Sequence, residues 1–226
     1  MSSQKNSIQK LAKEALKLVK DVKVVGLGSG STLSAIVREM VNLPNKESIE
    51  FLPTSLQIKL EAEQSRLRIA DENRLPYTDI VFDGADQIDS EFNMIKGGGG
   101  ALLKEKIVMS SAKKVVIIAD ASKFVESLNR SVPLEVHPMA RSAIPKVLRD
   151  MNGKAMLRTL DKGYPFVTEN GNLIFDTLFP SIADPKRTES ELKNIPGVLE
   201  VGLFTRRADI YYKAKDDGSF EMLSFQ

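Results

Sequence analysis

The segment Gly26-Leu27-Gly28-Ser29-Gly30-Ser31-Thr32 could hold a phosphate. Its glycines bare backbone N–H groups, its hydroxyls can donate beside them, and a helix starting there adds the positive end of its dipole. The spacing does not suit a dinucleotide. A G-x-G-x-x-G loop needs a third glycine where Leu33 stands, and no Walker lysine follows. A tight turn capping a helix would use the same residues. Glycines combined with hydroxyls favour a small phosphate ester.

Three further segments carry candidate chemistry. Asp83-Gly84-Ala85-Asp86 presents two carboxylates about a glycine. They could grip sugar hydroxyls, or bind magnesium if a third ligand existed, which the sequence does not signal. Solvated loop carboxylates or helix caps would look alike. Lys96-Gly97-Gly98-Gly99-Gly100 opens a helical stretch. Each glycine there would cost about 1 kcal/mol against alanine if helical, so the run is either a hinge or a backbone that must approach a ligand closely. Glu105 follows between Lys104 and Lys106, as a base or as part of an exposed, salt-bridged face. Asp120-Ala121-Ser122-Lys123 ends another apolar run. The single histidine, His137, has no partner carboxylate signalled nearby and reads as structural. With no cysteine and one histidine, disulfide scaffolds, thiol nucleophiles and multi-histidine metal sites are excluded.

These segments sit where strands hand over to helices. A helical period covers 7–20, with Ser7 as its N-cap, and the β-branched run 22–25 follows. Helical spacing returns at Leu33, Ile36, Val37, Met40 and Val41. Further strands are expected at 49–53, 79–82 and 115–119, with helices at 55–66 and 101–112 between them. Alternation of this kind implies an α/β, mostly parallel sheet covered on both faces. Ligands of such sheets bind beyond the carboxyl ends of the strands, where these segments fall. From 129 to 204 the order becomes βαββαβ, the ferredoxin-like split unit. The expected domains are therefore a parallel-sheet core of 1–128 plus 205–226 and an inserted α+β domain of 129–204. The strand at 208–214 is expected to return to the first sheet.

Composition bounds the partners. The 226 residues carry a formal net charge of +2, and no basic stripe with interleaved aromatics appears, so no nucleic acid is expected. No apolar run reaches membrane-span or signal-peptide length. The expectation is no membrane and a cytoplasmic location.

The segments occur together, in order and at similar spacing: Gly28 to Thr32, Asp83 to Asp86, Lys96 to Gly99, Ala119 to Lys123, and Pro196-Gly197-Val198 through Gly202-Leu203-Phe204. In this the chain resembles ribose-5-phosphate isomerase, type A, from about Ala12 to Ala214. The resemblance implies interconversion of D-ribose 5-phosphate and D-ribulose 5-phosphate in the non-oxidative pentose phosphate pathway, with no metal and no cofactor. It implies a Rossmann-like core, a ferredoxin-like lid role for the inserted domain and a homo-oligomer, a dimer or tetramer. By motif, Ser29, Gly30, Ser31, Thr32, Asp83, Gly84, Ala85, Asp86, Lys96, Gly97, Gly98 and Gly99 form the substrate loops. Glu105 stands at the family's base and Lys123 at a substrate-contacting lysine. Gln87-Ile88-Asp89 departs from a common glutamate and asparagine, Gly100 lengthens the glycine run, and 206–226 is the least family-like part.

The chemistry suits the residues. Aldose–ketose isomerisation moves a proton between C2 and C1 through an enediolate, and one carboxylate, here Glu105, can serve both carbons. Lys96 and the glycine amides suit the carbonyl oxygen, where charge develops. Asp83 and Asp86 can hold hydroxyls, and the sequence does not choose which of them assists ring opening. Ser29 to Thr32 and Lys123 would hold the phosphate. The alternatives are a non-catalytic sugar-phosphate sensor, for which no DNA-binding helix precedes residue 22, and deamination or coenzyme A transfer on a related core. A deaminase would want a histidine near its acidic loop, which His137 is not.

Overall fold

The computed structural model describes residues 10–71 and 77–225. Ser7, the expected N-cap, lies outside the described residues. The chain divides into two compact units: residues 1–84, 104–122 and 208–226 form one, and residues 85–103 and 123–207 the other. This division differs from the expected core of 1–128 plus 205–226 at 85–103, 123–128 and 205–207.

In chain order the strands are β1 Val24–Leu27, β2 Glu50–Pro53, β3 Thr78–Asp83, β4 Gln87–Ile88, β5 Met94–Ile95, β6 Ala112–Asp120, β7 Val132–Val136, β8 Lys154–Leu157, β9 Leu173–Leu178, β10 Val198–Val201, β11 Leu203–Phe204, β12 Ile210–Ala214 and β13 Phe220–Ser224. The first unit is built on a six-stranded sheet of order β13-β12-β6-β3-β1-β2. All its neighbours run parallel except the β12–β13 pair. The α/β architecture is the one that the alternation of apolar runs implies. β12 does return beside β6, and β13 adds an edge strand that the sequence reading did not identify.

Helices cover this sheet because their apolar stripes need it. Leu33, Ile36, Val37 and Met40 of the helix Ser31–Met40, and Ile58 and Ala62 of the helix Leu56–Gln64, are buried with Val25, Leu27, Ile80, Phe82 and Val116. The helix Leu102–Ser111 uses the other face. Gly26 makes room for it: a Cβ there would lie 2.6 Å from Val108 Cγ1. Behind the strands, Asp79 accepts from the backbone N–H groups of Lys23 and Val24 and from Lys113 Nζ. Burial pushes its carboxyl pKa up, but these hydrogen bonds and the lysine charge together outweigh that and hold it below the usual carboxylate range.

The second unit holds a four-stranded antiparallel sheet of order β10-β7-β9-β8. With the helices Ile144–Asp150 and Pro185–Lys193 this is the ferredoxin-like arrangement. Val132, Leu134, Val136 and Phe175 meet Ile144, Leu148 and Leu192 in its core. Asp184 caps the second helix by accepting from Arg187 N–H, and Pro185 follows at a first-turn position where its missing N–H costs nothing. The expected single strand over 198–204 is broken at Gly202. β10 pairs with β7, whereas β11 pairs with β5, which pairs with β4 in a small separate sheet. A Cβ on Gly202 would lie 2.4 Å from the Lys96 carbonyl oxygen, so only glycine allows this approach. His137 caps the turn Pro138–Ala140, its Nδ1 accepting from Met139 N–H.

Candidate active site

The strand order of the first unit reverses at β1: the chain goes from β1 to β2 on one side, and β3 lies on the other. This is a topological switch point, where open parallel sheets bind ligands beyond the carboxyl ends of their strands. The loops that leave β1 and β3 there are Gly28 to Gly30 and Asp83-Gly84.

The β1 loop is held from the next one. Ser29 Oγ lies 3.0 Å from both Thr54 Oγ1 and Ser55 Oγ, and Gly30 N–H donates to Gln57 Oε1 at 3.1 Å. Ser55 itself caps the helix Leu56–Gln64. Gly30 has φ +98°, a conformation that strains any other residue, and sits as the N-cap of the helix Ser31–Met40. Ser31 and Thr32 form the first positions of that helix, so their amides and hydroxyls stand at its positive end. Thr54, Ser55 and Gln57 went unmarked in the sequence reading. The available signal was a polar run directly after an apolar strand, as at β1.

Asp83 ends β3 and is 0% exposed. Its Oδ1 accepts from Gly84 N–H at 2.7 Å, and it fills the space a side chain on Gly28 would need. Glu105 lies in the first turn of the helix Leu102–Ser111, which returns the chain toward the start of β6, so the first turn lies at the carboxyl-end edge of the sheet. It is 5% exposed, on the same stripe as Leu102, Val108 and Met109, while Ile107 faces outward. An exposed face is thus not the environment of Glu105: helical phase puts a carboxylate where the stripe calls for an apolar residue.

In the second unit, Asp86 N–H donates to the Ile95 carbonyl, the Asp86 carbonyl accepts from Arg130 Nη1, and Asp86 Oδ2 accepts from Gly98 N–H at 2.8 Å. Lys96 is 2% exposed; its N–H donates to the Gly202 carbonyl, and its Nζ lies 5.4 Å from the Phe204 ring centre, a cation–π contact. Gly97 has φ +101° and its carbonyl accepts from Gly100 N–H, closing a turn. Two of the four glycine amides are therefore committed, that of Gly98 to the Asp86 carboxylate and that of Gly100 within the loop. The run is an ordered turn rather than a hinge. Gln87 and Asp89, which depart from the family pattern, both have structural work. The Gln87 side-chain carbonyl accepts from the N–H groups of Asn129 and Arg130, and Asp89 accepts from those of Glu91 and Asn93. Ala85 is partly buried beside Asp86, and Lys123 ends the short turn Ala121–Lys123, partly exposed.

Ser29, Gly30, Ser31, Thr32, Asp83, Gly84 and Glu105 belong to the first unit, and Ala85, Asp86, Lys96, Gly97, Gly98, Gly99 and Lys123 to the second. Among the described residues no three His, Asp or Glu side chains gather as a metal site requires.

Three comparisons bear on this arrangement. The family model for ribose 5-phosphate isomerase A (phosphoriboisomerase A) matches residues 50–218. A ribose-5-phosphate isomerase A of Korarchaeum cryptofilum is 43% identical over 209 residues, covering 91% of this chain and 92% of that protein. One from Pyrococcus abyssi is 41% identical over 213 residues, covering 92% and 93%. A D-ribose-5-phosphate isomerase solved in complex with phospho-erythronic acid superposes with a TM-score of 0.90 at 38% identity, over 99% of this chain and 98% of that one. The ribose 5-phosphate isomerase A of Methanocaldococcus jannaschii superposes equally, with a TM-score of 0.90 at 38% identity, over 97% and 98%.

Proposed function

The chain belongs to the ribose 5-phosphate isomerase A family, and we propose from that premise that it interconverts D-ribose 5-phosphate and D-ribulose 5-phosphate with Glu105 as the general base. The single observation that carries the choice of base is the burial of Glu105, 5% exposed, on an otherwise apolar stripe. A carboxylate can take and return a proton, and burial restricts water from competing for the proton it carries.

The step balances within the substrate. After the furanose ring opens, Glu105 takes the C2 proton and the C–H electron pair becomes the C1–C2 double bond. The carbonyl π pair moves onto O1 to give the enediolate. Glu105 then returns the proton to C1, and the C2 hydroxyl proton passes to O1, leaving a ketone at C2 and an alcohol at C1. A positioned base of this kind contributes roughly 10²–10⁴-fold. Lys96 and the remaining amides of the glycine turn face O1 as charge develops. Asp83 and Asp86 hold hydroxyls, and one of them assists ring opening. Ser29, Gly30, Ser31, Thr32 and Lys123 hold the phosphate, whose binding positions the reacting carbons. The relative solved with phospho-erythronic acid supports this reading, since a carboxylate resembles an enediolate in its planarity and charge.

The direct test is formation of ribulose 5-phosphate from ribose 5-phosphate with EDTA present. Turnover is expected to survive the chelator. Loss of turnover that a divalent ion restores would instead make Asp83 and Asp86 metal ligands.

We place the reaction in the non-oxidative pentose phosphate pathway and the enzyme in the cytoplasm, where its sugar-phosphate substrate is found. No helix among the described residues is long and apolar enough to cross a membrane. The second unit acts as the lid, and the assembly is a homo-oligomer, a dimer or tetramer. Exposed Met156, Tyr164, Val167 and Leu178 of that unit support association. Light scattering is expected to give at least twice the 25.0 kDa chain mass. A monomer at micromolar concentration would refute it.

A further inference from the structure

The glycine turn is gripped by an ion pair that the motif pattern does not contain. Arg158 follows β8, and Asp176 lies in β9 beside it. Arg158 Nε donates to Asp176 Oδ2 at 2.8 Å and Nη2 donates to Oδ1, a two-pronged pair that fixes the guanidinium plane. The remaining nitrogen, Nη1, donates to the carbonyls of Gly97 at 2.9 Å and Gly98 at 3.0 Å. The pair is mostly shielded, with side chains 15% and 28% exposed. The backbone of Arg158 is itself tied on both sides, its N–H donating to the Ile174 carbonyl and its carbonyl accepting from Phe166 N–H. The Phe166 ring lies 5.7 Å from the guanidinium carbon, and a Cβ on Gly100 would meet that ring at 2.5 Å.

Peptide geometry gives these bonds a direction. In a trans peptide the C=O and the following N–H point opposite ways. The Gly97–Gly98 peptide is held at both ends, its oxygen by Arg158 and by Gly100 N–H and its own N–H by Asp86. The Gly98–Gly99 peptide is held at its oxygen, which turns Gly99 N–H away from the guanidinium. The Gly98–Gly99 peptide lies between glycines, whose backbones rotate with little steric resistance, so without the clamp it could flip.

We propose that Arg158, oriented by Asp176, is a positioning residue for the isomerisation, holding the glycine turn so that Gly99 N–H stays aimed at the oxygen on which charge develops. This rests on the isomerase reading above. An amide that meets charge only as the enediolate forms lowers the barrier and scarcely affects ground-state binding, so its loss appears in kcat and not in KM.

The test is steady-state kinetics of Arg158→Ala, Arg158→Lys and Asp176→Asn against the wild type, with thermal melts. Losing one such donor typically costs roughly 10²–10³-fold, and a donor left free to flip should cost about 10–100-fold. The expected result for Arg158→Ala is a kcat loss in that range, a KM within about threefold, and partial recovery with millimolar guanidinium ion. Arg158→Lys keeps the charge but cannot make the two-pronged pair and reach both carbonyls, so it should also lose kcat with a wild-type melting temperature. Asp176→Asn should follow it. If Arg158→Ala does not fold, these two conservative variants decide. An active wild type with all folded variants within about threefold in kcat overturns the positioning role alone, as does a loss confined to KM. An inactive wild type overturns the isomerase reading and this role with it.

Discussion

Glu105→Gln is expected to fold, to bind sugar phosphate nearly as the wild type does, and to isomerise it about 10²–10⁴-fold more slowly. Glutamine keeps the size and most of the polarity of the side chain, so the buried position at 5% exposure is not overfilled or emptied. What it removes is the proton acceptor for both half-reactions. KM should stay within a few-fold, because phosphate and hydroxyl contacts belong to other residues. A second readout separates base from bystander. In deuterated water the wild type should wash label into the carbon next to the carbonyl, whereas the variant should not. Exchange and turnover within about tenfold of wild type would make Glu105 a structural carboxylate, and the base would have to be sought at Asp83 or Asp86.

The centre of the first unit's sheet was legible because β1, β3 and β6 are apolar runs rich in β-branched residues that give way to glycine or aspartate. The same logic failed where an element is too short or too polar to show a period. β4 and β5 have two residues each, and two residues carry no alternation. β13 is a mostly exposed edge strand without a continuous apolar face, so nothing in Phe220–Ser224 demands a partner. β10 and β11 read as one strand, since the reason for their break, the Lys96 carbonyl against Gly202, lies about a hundred residues away.

Legibility of the site divides along the same line. Loops that leave strands are local in sequence, so Ser29 to Thr32, Asp83 to Asp86 and the glycine run could be marked directly. The environment of Glu105 was obscured by its flanking lysines, although the phase set by Leu102, Val108 and Met109 carried the answer. Arg158 and Asp176 had no such local sign. They meet because β8 and β9 pair with Met156 opposite Asp176, a register that no motif encodes. Gln57 is similar in kind: its bond to Gly30 N–H bridges two loops that only the parallel pairing of β1 with β2 brings together.

Gly28→Ala should be the most damaging single-methyl change in the first unit. An ideal Cβ at Gly28 would lie 1.9 Å from Asp83 Oδ1, 2.1 Å from its Cγ and 2.7 Å from its Cβ. No rotation of the carboxylate alone clears the last of these. Asp83 cannot retreat freely either, since its backbone is in register with Ile117 of β6 and its carboxylate accepts from Gly84 N–H. Gly28 is equally tied, its N–H donating to the Phe82 carbonyl at 2.8 Å. The methyl must therefore spread β1 from β3 at the switch point. Overpacking of this sort costs about 1–3 kcal/mol, which calorimetry or a denaturant melt would register. The loss of activity should be larger in proportion, because both loops that leave these strands move, and a displacement of about 1 Å at reacting groups can cost about 10²-fold. Gly99→Ala is the matched control for stability. Nothing lies within 4 Å of a Cβ there and its φ is not positive, so its melt should fall within about 0.5 kcal/mol of wild type. A Gly28→Ala protein with the melting temperature and turnover of the wild type would mean that Asp83 is not held against β1, and that the close approach of these two residues does not shape the site.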